Sequence, residues 1–172
     1  MWQPEERRIF VSHCSAYRAT GEEFQKLVRK YPLTPGQAVP HVFLSSDASS
    51  IPTGEEWLAR IMDELKSCTH FVALIAGEGD WKNPWISLET AHFMGRQYAQ
   101  SKDNARAPLI FAFGDLIDKA TAPLNNFQVI DGRDADRIQN AVLSLRVGPW
   151  LGDCVKDFAS FFKTPPGARA KK

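Results

Sequence analysis

Short apolar runs alternate with helical stripes along the chain. Arg8–Ser12 (RIFVS), His41–Ser45 (HVFLS), His70–Ala76 (HFVALIA), Pro108–Phe113 (PLIFAF) and Phe127–Ile130 (FQVI) each read as a strand. The unbroken apolar run of the third suits a strand covered on both faces. Between the strands, Phe24, Leu27, Val28 and Tyr31 fall at i, i+3, i+4 and i+7. Trp57, Ile61 and Leu65 repeat every four residues, with Leu58 and Met62 beside them. Ile138, Ala141, Val142 and Leu145 repeat the first pattern. Each set makes one apolar stripe on a helix. Thr53, followed three residues later by Glu56, fits a capping box opening the second helix. Asn83 before Pro84 fits an N-cap and first-turn proline opening the third. The stretch before the fifth strand holds Pro123 and predicts a loop or a stunted helix. Trp150, Val155, Phe158, Phe161 and Phe162 predict one last helix.

Strands alternating with helices predict a flavodoxin-like α/β fold in three layers. Its sheet has five parallel strands in the order 2-1-3-4-5, with helices on both faces. Ligands of such sheets bind beyond the carboxyl ends of the strands, at the switch point between strands 1 and 3. The predicted pocket is therefore walled by the residues after Ser12, after Ser45 and after Ala76. The domain is expected over residues 1–146, a C-terminal helix packed on it over 147–163, and a disordered tail or linker over 164–172. The tail TPPGARAKK suggests a sensor domain or partner region beyond it.

Composition narrows the function classes. The 172 residues carry 44% apolar side chains, enough for one ordinary globular core. The formal charge is only +1 and the basic residues are scattered, which selects neither nucleic acid nor an anionic membrane. The tail residues Arg169, Lys171 and Lys172 read as a solvated end. Three cysteines, Cys14, Cys68 and Cys154, without a CxxC pair predict reduced thiols and a cytoplasmic setting. The N-terminus lacks the apolar core of a signal peptide, and no apolar run approaches bilayer length.

The chain has no GxGxxG, no GxxxxGK, no HExxH and no GxSxG motif, and its four histidines lie on separate predicted elements. No metal site is expected. His13 beside Cys14 is a poor nucleophile pair, because sequence neighbours seldom point at each other. One constellation remains. Trp85 and Glu89 lie four apart on the third helix, which opens at the predicted pocket. An acid near a helix start also complements the helix dipole, and on the residues alone that reading stays open.

Three segments carry a resemblance: RIFVSH at Arg8–His13, VFLSSDASSIPTGEEWLARIMDEL at Val42–Leu65, and HFVALIAGEGDWKNPWISLE at His70–Glu89. The initial strand ending in Ser-His, the loop ending in I-P-x-G before a helix, the apolar strand and the W-x-x-x-E helix occur in that order. Together they resemble a TIR (Toll/interleukin-1 receptor) domain over residues 7–131, closer to bacterial members than to animal receptor domains. The resemblance implies an NAD+ glycohydrolase or cyclase with Glu89 as the catalytic acid and Trp85 as a pocket wall. It also implies that Ser46–Gly54 gates the pocket and takes part in self-association with other TIR domains. NAD+ is then substrate, with no further cofactor, and the setting is bacterial anti-phage defence. The alternatives are a TIR interaction module without turnover and a nucleoside deoxyribosyltransferase-like enzyme.

The remaining candidates keep two readings each. Ser12, His13 and Ser15 could meet phosphates or ribose, or merely end a strand. Ser46 and Asp47 could contact substrate or make an ordinary turn. Trp81 could stack on a base. Trp57 reads as core, and His92, one turn after Glu89, as a packed histidine or a tuner of the Glu89 pKa.

Overall fold

A computed structural model describes residues 7–31, 39–45, 54–100, 105–145 and 151–163. Ser46, Asp47, the cap Thr53, Trp150 and the tail over 164–172 lie outside the described residues. The strands are β1 (Arg8–His13), β2 (His41–Leu44), β3 (His70–Ile75), β4 (Leu109–Ala112) and β5 (Val129–Asp131). The helices are α1 (Arg18–Lys30), α2 (Gly54–Ser67), α3 (Pro84–Gln100), α4 (Ala135–Ser144) and α5 (Leu151–Lys163). Every strand pair is parallel, and the sheet order is β2-β1-β3-β4-β5, as the alternation predicts. Two short 3-10 turns, Leu116–Lys119 and Leu124–Asn126, fill the stretch before β5 in place of a crossover helix.

Side-chain alternation along the central strands separates two cores. Ile9, Val11, Val72, Leu74, Leu109 and Phe111 face α1, α4 and α5, where Phe24, Ile138, Val142, Phe158 and Phe162 meet them. Phe10, Phe71, Ala73, Ile75, Ile110 and Ala112 face α2 and α3, where Ile61, Leu65, Ile86 and Phe93 meet them. A sheet covered on both faces is why β3 reads as a continuous apolar run. No described helix is long and apolar enough to cross a membrane.

Helix α5 is sewn to the sheet. Phe162 stacks on Phe111 at 4.4 Å between ring centroids. The Phe162 carbonyl accepts the Gly114 amide at 2.9 Å, just beyond β4. At Gly132 a Cβ would lie 2.5 Å from the Ala112 carbonyl and 2.6 Å from that of Phe162, so only glycine lets the three backbones meet. Midway along α5, Asp157 accepts from Lys30 Nζ at 2.7 Å and from the Tyr31 hydroxyl at 2.5 Å.

Candidate functional site

The site lies at the carboxyl ends of β1 and β3, the switch point of the sheet. Helix α3 starts there because Asn83 stops the preceding turn: its side-chain oxygen accepts the Trp85 amide at 2.9 Å while Pro84 holds the first helical position. The buried side of α3 is Ile86, Glu89, Thr90, Phe93 and Gln97, a spacing of i, i+3, i+4, i+7 and i+11. Glu89 thus sits in an otherwise core-facing stripe. It is only 4% exposed.

Its partner comes from β1. Phe10 and Ser12 share the face turned toward α2 and α3, and the Ser12 hydroxyl donates a hydrogen bond to Glu89 Oε2. Ala73 is the register partner of Ser12 on β3, and its bare methyl on that face leaves room for the carboxylate. Burial pushes the Glu89 pKa up from the ordinary 4.5 to about 7, and the Ser12 hydroxyl pulls the other way. His92, one turn further along α3, is not among the causes.

Alternation splits the Ser12–His13 pair. His13 turns to the opposite face, where its ring packs against Gly21 of α1 so closely that a Cβ there would lie 2.4 Å from Nε2. Its Nδ1 lies 3.0 Å from the Cys14 carbonyl oxygen. The His13 amide donates to Ser45 Oγ at 3.2 Å, tying the end of β1 to that of β2. Ser15 is exposed on a short 3-10 turn, Ser15–Tyr17, ahead of α1.

The tryptophans divide as well. Trp85 is 43% exposed and meets Trp57 of α2 edge to face at 4.8 Å between centroids. Trp57 is half-buried at that contact rather than fully in the core. Trp81 is 1% exposed, and its indole N–H donates to the Leu116 carbonyl at 2.9 Å. Its ring is enclosed by protein and offers no face to a base, contrary to the stacking expectation. The apolar surroundings that make an indole sticky for a ligand serve the core equally well.

Sequence reasoning missed Asp80. Its carboxylate is buried, and Oδ2 accepts the Ala76 amide at 2.9 Å and the Gly77 amide at 3.0 Å. Burial raises its pKa, while the Gly77 and Ala76 amides and Cys14 lower it. The only sequence signal was an aspartate three residues before the Asn83 cap, in a segment rich in turn formers. A Cβ at Gly77 would lie 2.3 Å from the Tyr17 hydroxyl, so the start of α1 closes against the loop after β3. Among the described residues no group of three or more His, Cys, Asp or Glu could hold a metal ion.

Ser12 and Glu89 thus meet where β1 and β3 end, and Asp80 braces the loop that follows β3. Comparison with protein-family models, curated proteins and solved structures gave no match. What the arrangement can do follows from its chemistry. A single carboxyl group with a pKa of about 7, shielded from water and held by one hydroxyl, can serve as a proton donor or, once ionised, as a fixed negative charge.

Proposed function

We propose that the chain is a TIR-type NAD+ glycohydrolase or cyclase that cleaves the nicotinamide–ribose bond at Glu89. The observation that carries this reading is the lone buried carboxyl of α3, hydrogen-bonded by Ser12 at the switch point of the sheet.

One carboxylate is enough for this reaction. Ordinary glycosidases need a second acid because an alkoxide leaves. Nicotinamide leaves from a pyridinium, so it departs neutral and needs no proton. The barrier is the oxocarbenium-like ribose, whose growing positive charge a fixed carboxylate stabilises. Water or an adenine nitrogen then attacks, giving ADP-ribose or a cyclic isomer. The positive pyridinium of a bound NAD+ favours the ionised form of Glu89, so the substrate itself draws the buried acid into its active state. Uncovering the carboxylate is the role the TIR resemblance assigns to residues 46–54. In this proposal Trp85 borders the entrance and Ser12 orients the carboxylate. His13, Ser15, Ser46 and Asp47 remain candidates for the rest of NAD+. Activation follows self-association with other TIR domains, in bacterial defence inside the cell.

The competing reading is a docking module without turnover. The exposed Leu58, Trp85 and Leu88 on α2 and α3 favour it, since apolar side chains left in water on neighbouring helices suit a protein partner. Incubation with NAD+ while following free nicotinamide separates the two. Glu89→Ala is expected to slow release by about a hundredfold or more, the loss typical of a removed charge-stabilising group. Normal release by that variant refutes the mechanism, and no release from the parent chain under enforced clustering leaves the docking module.

A further inference from the structure

The 3-10 turn Glu78–Lys82 between β3 and α3 touches no substrate in the reading above, yet it is tied on two sides. Inward, Asp80 holds the amides of Ala76 and Gly77. Outward, Trp81 reaches across the ends of β3 and β4 to the Leu116 carbonyl. The turn passes rigidly into α3: the Asn83 amide donates to the Asp80 carbonyl at 3.1 Å, and Asn83 then caps the helix. Glu89 stands five residues into α3, about 7.5 Å along its axis from Pro84. A shift of the turn is therefore carried to the carboxyl group.

We propose that Trp81 is a positioning residue: its indole N–H, bound to the Leu116 carbonyl, fixes the seat of α3 over the ends of β1 and β3 and so holds the Glu89 carboxyl against Ser12. Its catalytic consequence rests on the NAD+-cleaving reading, whereas its geometric content does not. A buried indole N–H needs an acceptor wherever it lies, so what sets this one apart is its place. This one spans two strand ends and lies immediately before the helix that carries the acid.

The test compares Trp81→Phe, which keeps aromatic bulk and removes the N–H, with Val142→Ala, which loosens the core on the opposite face of the sheet. Two quantities are read on the full chain. One is the titration midpoint of the Glu89 carboxyl, by carbon NMR of glutamate-labelled protein and assigned with Glu89→Gln. The other is the split between kcat and KM for nicotinamide release. Trp81→Phe is expected to lower the midpoint toward the ordinary carboxylate range as water enters. It should reduce kcat by about tenfold to a hundredfold, the scale of a small misplacement, with KM nearly unchanged. Val142→Ala is expected to lose stability and move neither quantity. An unmoved midpoint in Trp81→Phe, or an equal movement in Val142→Ala, overturns the proposal. If Trp81→Phe does not fold, benzothienylalanine at position 81 keeps the bicyclic volume without the N–H and gives the same comparison. If the parent chain releases no nicotinamide, the NAD+ reading falls and the midpoint still decides the role of Trp81.

Discussion

A buried carboxyl whose pKa is raised from 4.5 to about 7 must make the fold sensitive to pH. The folded-state pKa lies above the unfolded one, so between them the folded chain binds more protons than the unfolded chain. The stabilising contribution is fully present below about pH 4.5 and is lost as the pH rises through about 7. The separation of roughly 2.5 units, at 1.36 kcal/mol per unit, corresponds to about 3 kcal/mol in all. Between pH 5 and pH 8 the linkage relation gives about 2.5 kcal/mol. Glu89→Gln removes the ionisation and keeps the shape. The new amide leaves a donor short of a partner, which costs roughly 1–3 kcal/mol, but this offset does not vary with pH. The informative quantity is therefore the change with pH of the stability difference between variant and parent. Urea unfolding at pH 5 and at pH 8 should find the variant gaining about 2.5 kcal/mol on the parent across that interval. A difference that stays constant would refute the reasoning, because it would mean that Glu89 titrates in the fold as it does in the unfolded chain.

Further predictions follow from the same site. Ser12→Ala removes the hydroxyl that pulls the Glu89 pKa down, so the carbon-NMR midpoint should rise above that of the parent, and the acid limb of nicotinamide release should move to higher pH with it. Gly132→Ala drives a Cβ into two backbone carbonyls and should cost about 2 kcal/mol or more, read as a lowered Tm, with a tolerant Tm contradicting the close packing of α5. Turnover of the isolated chain is expected to be weak at low concentration and to rise on crowding or enforced clustering. Specific activity independent of concentration would count against activation by assembly.

Much of the fold was legible because period is a property of the chain itself. The unbroken run HFVALI marks a strand covered on both faces, the stripe of Phe24, Leu27 and Val28 repeats near 3.6 residues, and every predicted strand and helix is present with its ends moved by a few residues. The parallel order 2-1-3-4-5 is the flavodoxin-like arrangement that five such alternating units suggest. Glu89 was also legible, four residues after Trp85 on the helix that opens at the switch point, but its place on the buried side with Ile86, Thr90 and Phe93 came only with the structure. The N-cap at Asn83 was written in two adjacent residues.

Other features were decided only by assembly of the elements. The partnership of Ser12 with Glu89 joins residues 77 apart and depends on which face of β1 meets α3. The strand's alternation sent His13 away from its neighbour. The inward turn of Trp81 and the burial of Asp80 depend on how the loops after β3 and β4 meet, and no local pattern encodes that. Periodicity specifies which side of an element avoids water, because that choice is made one residue at a time. A pKa, a hydrogen-bond partner or an enclosed ring depends on what another segment brings to the same place, and only the folded chain supplies it.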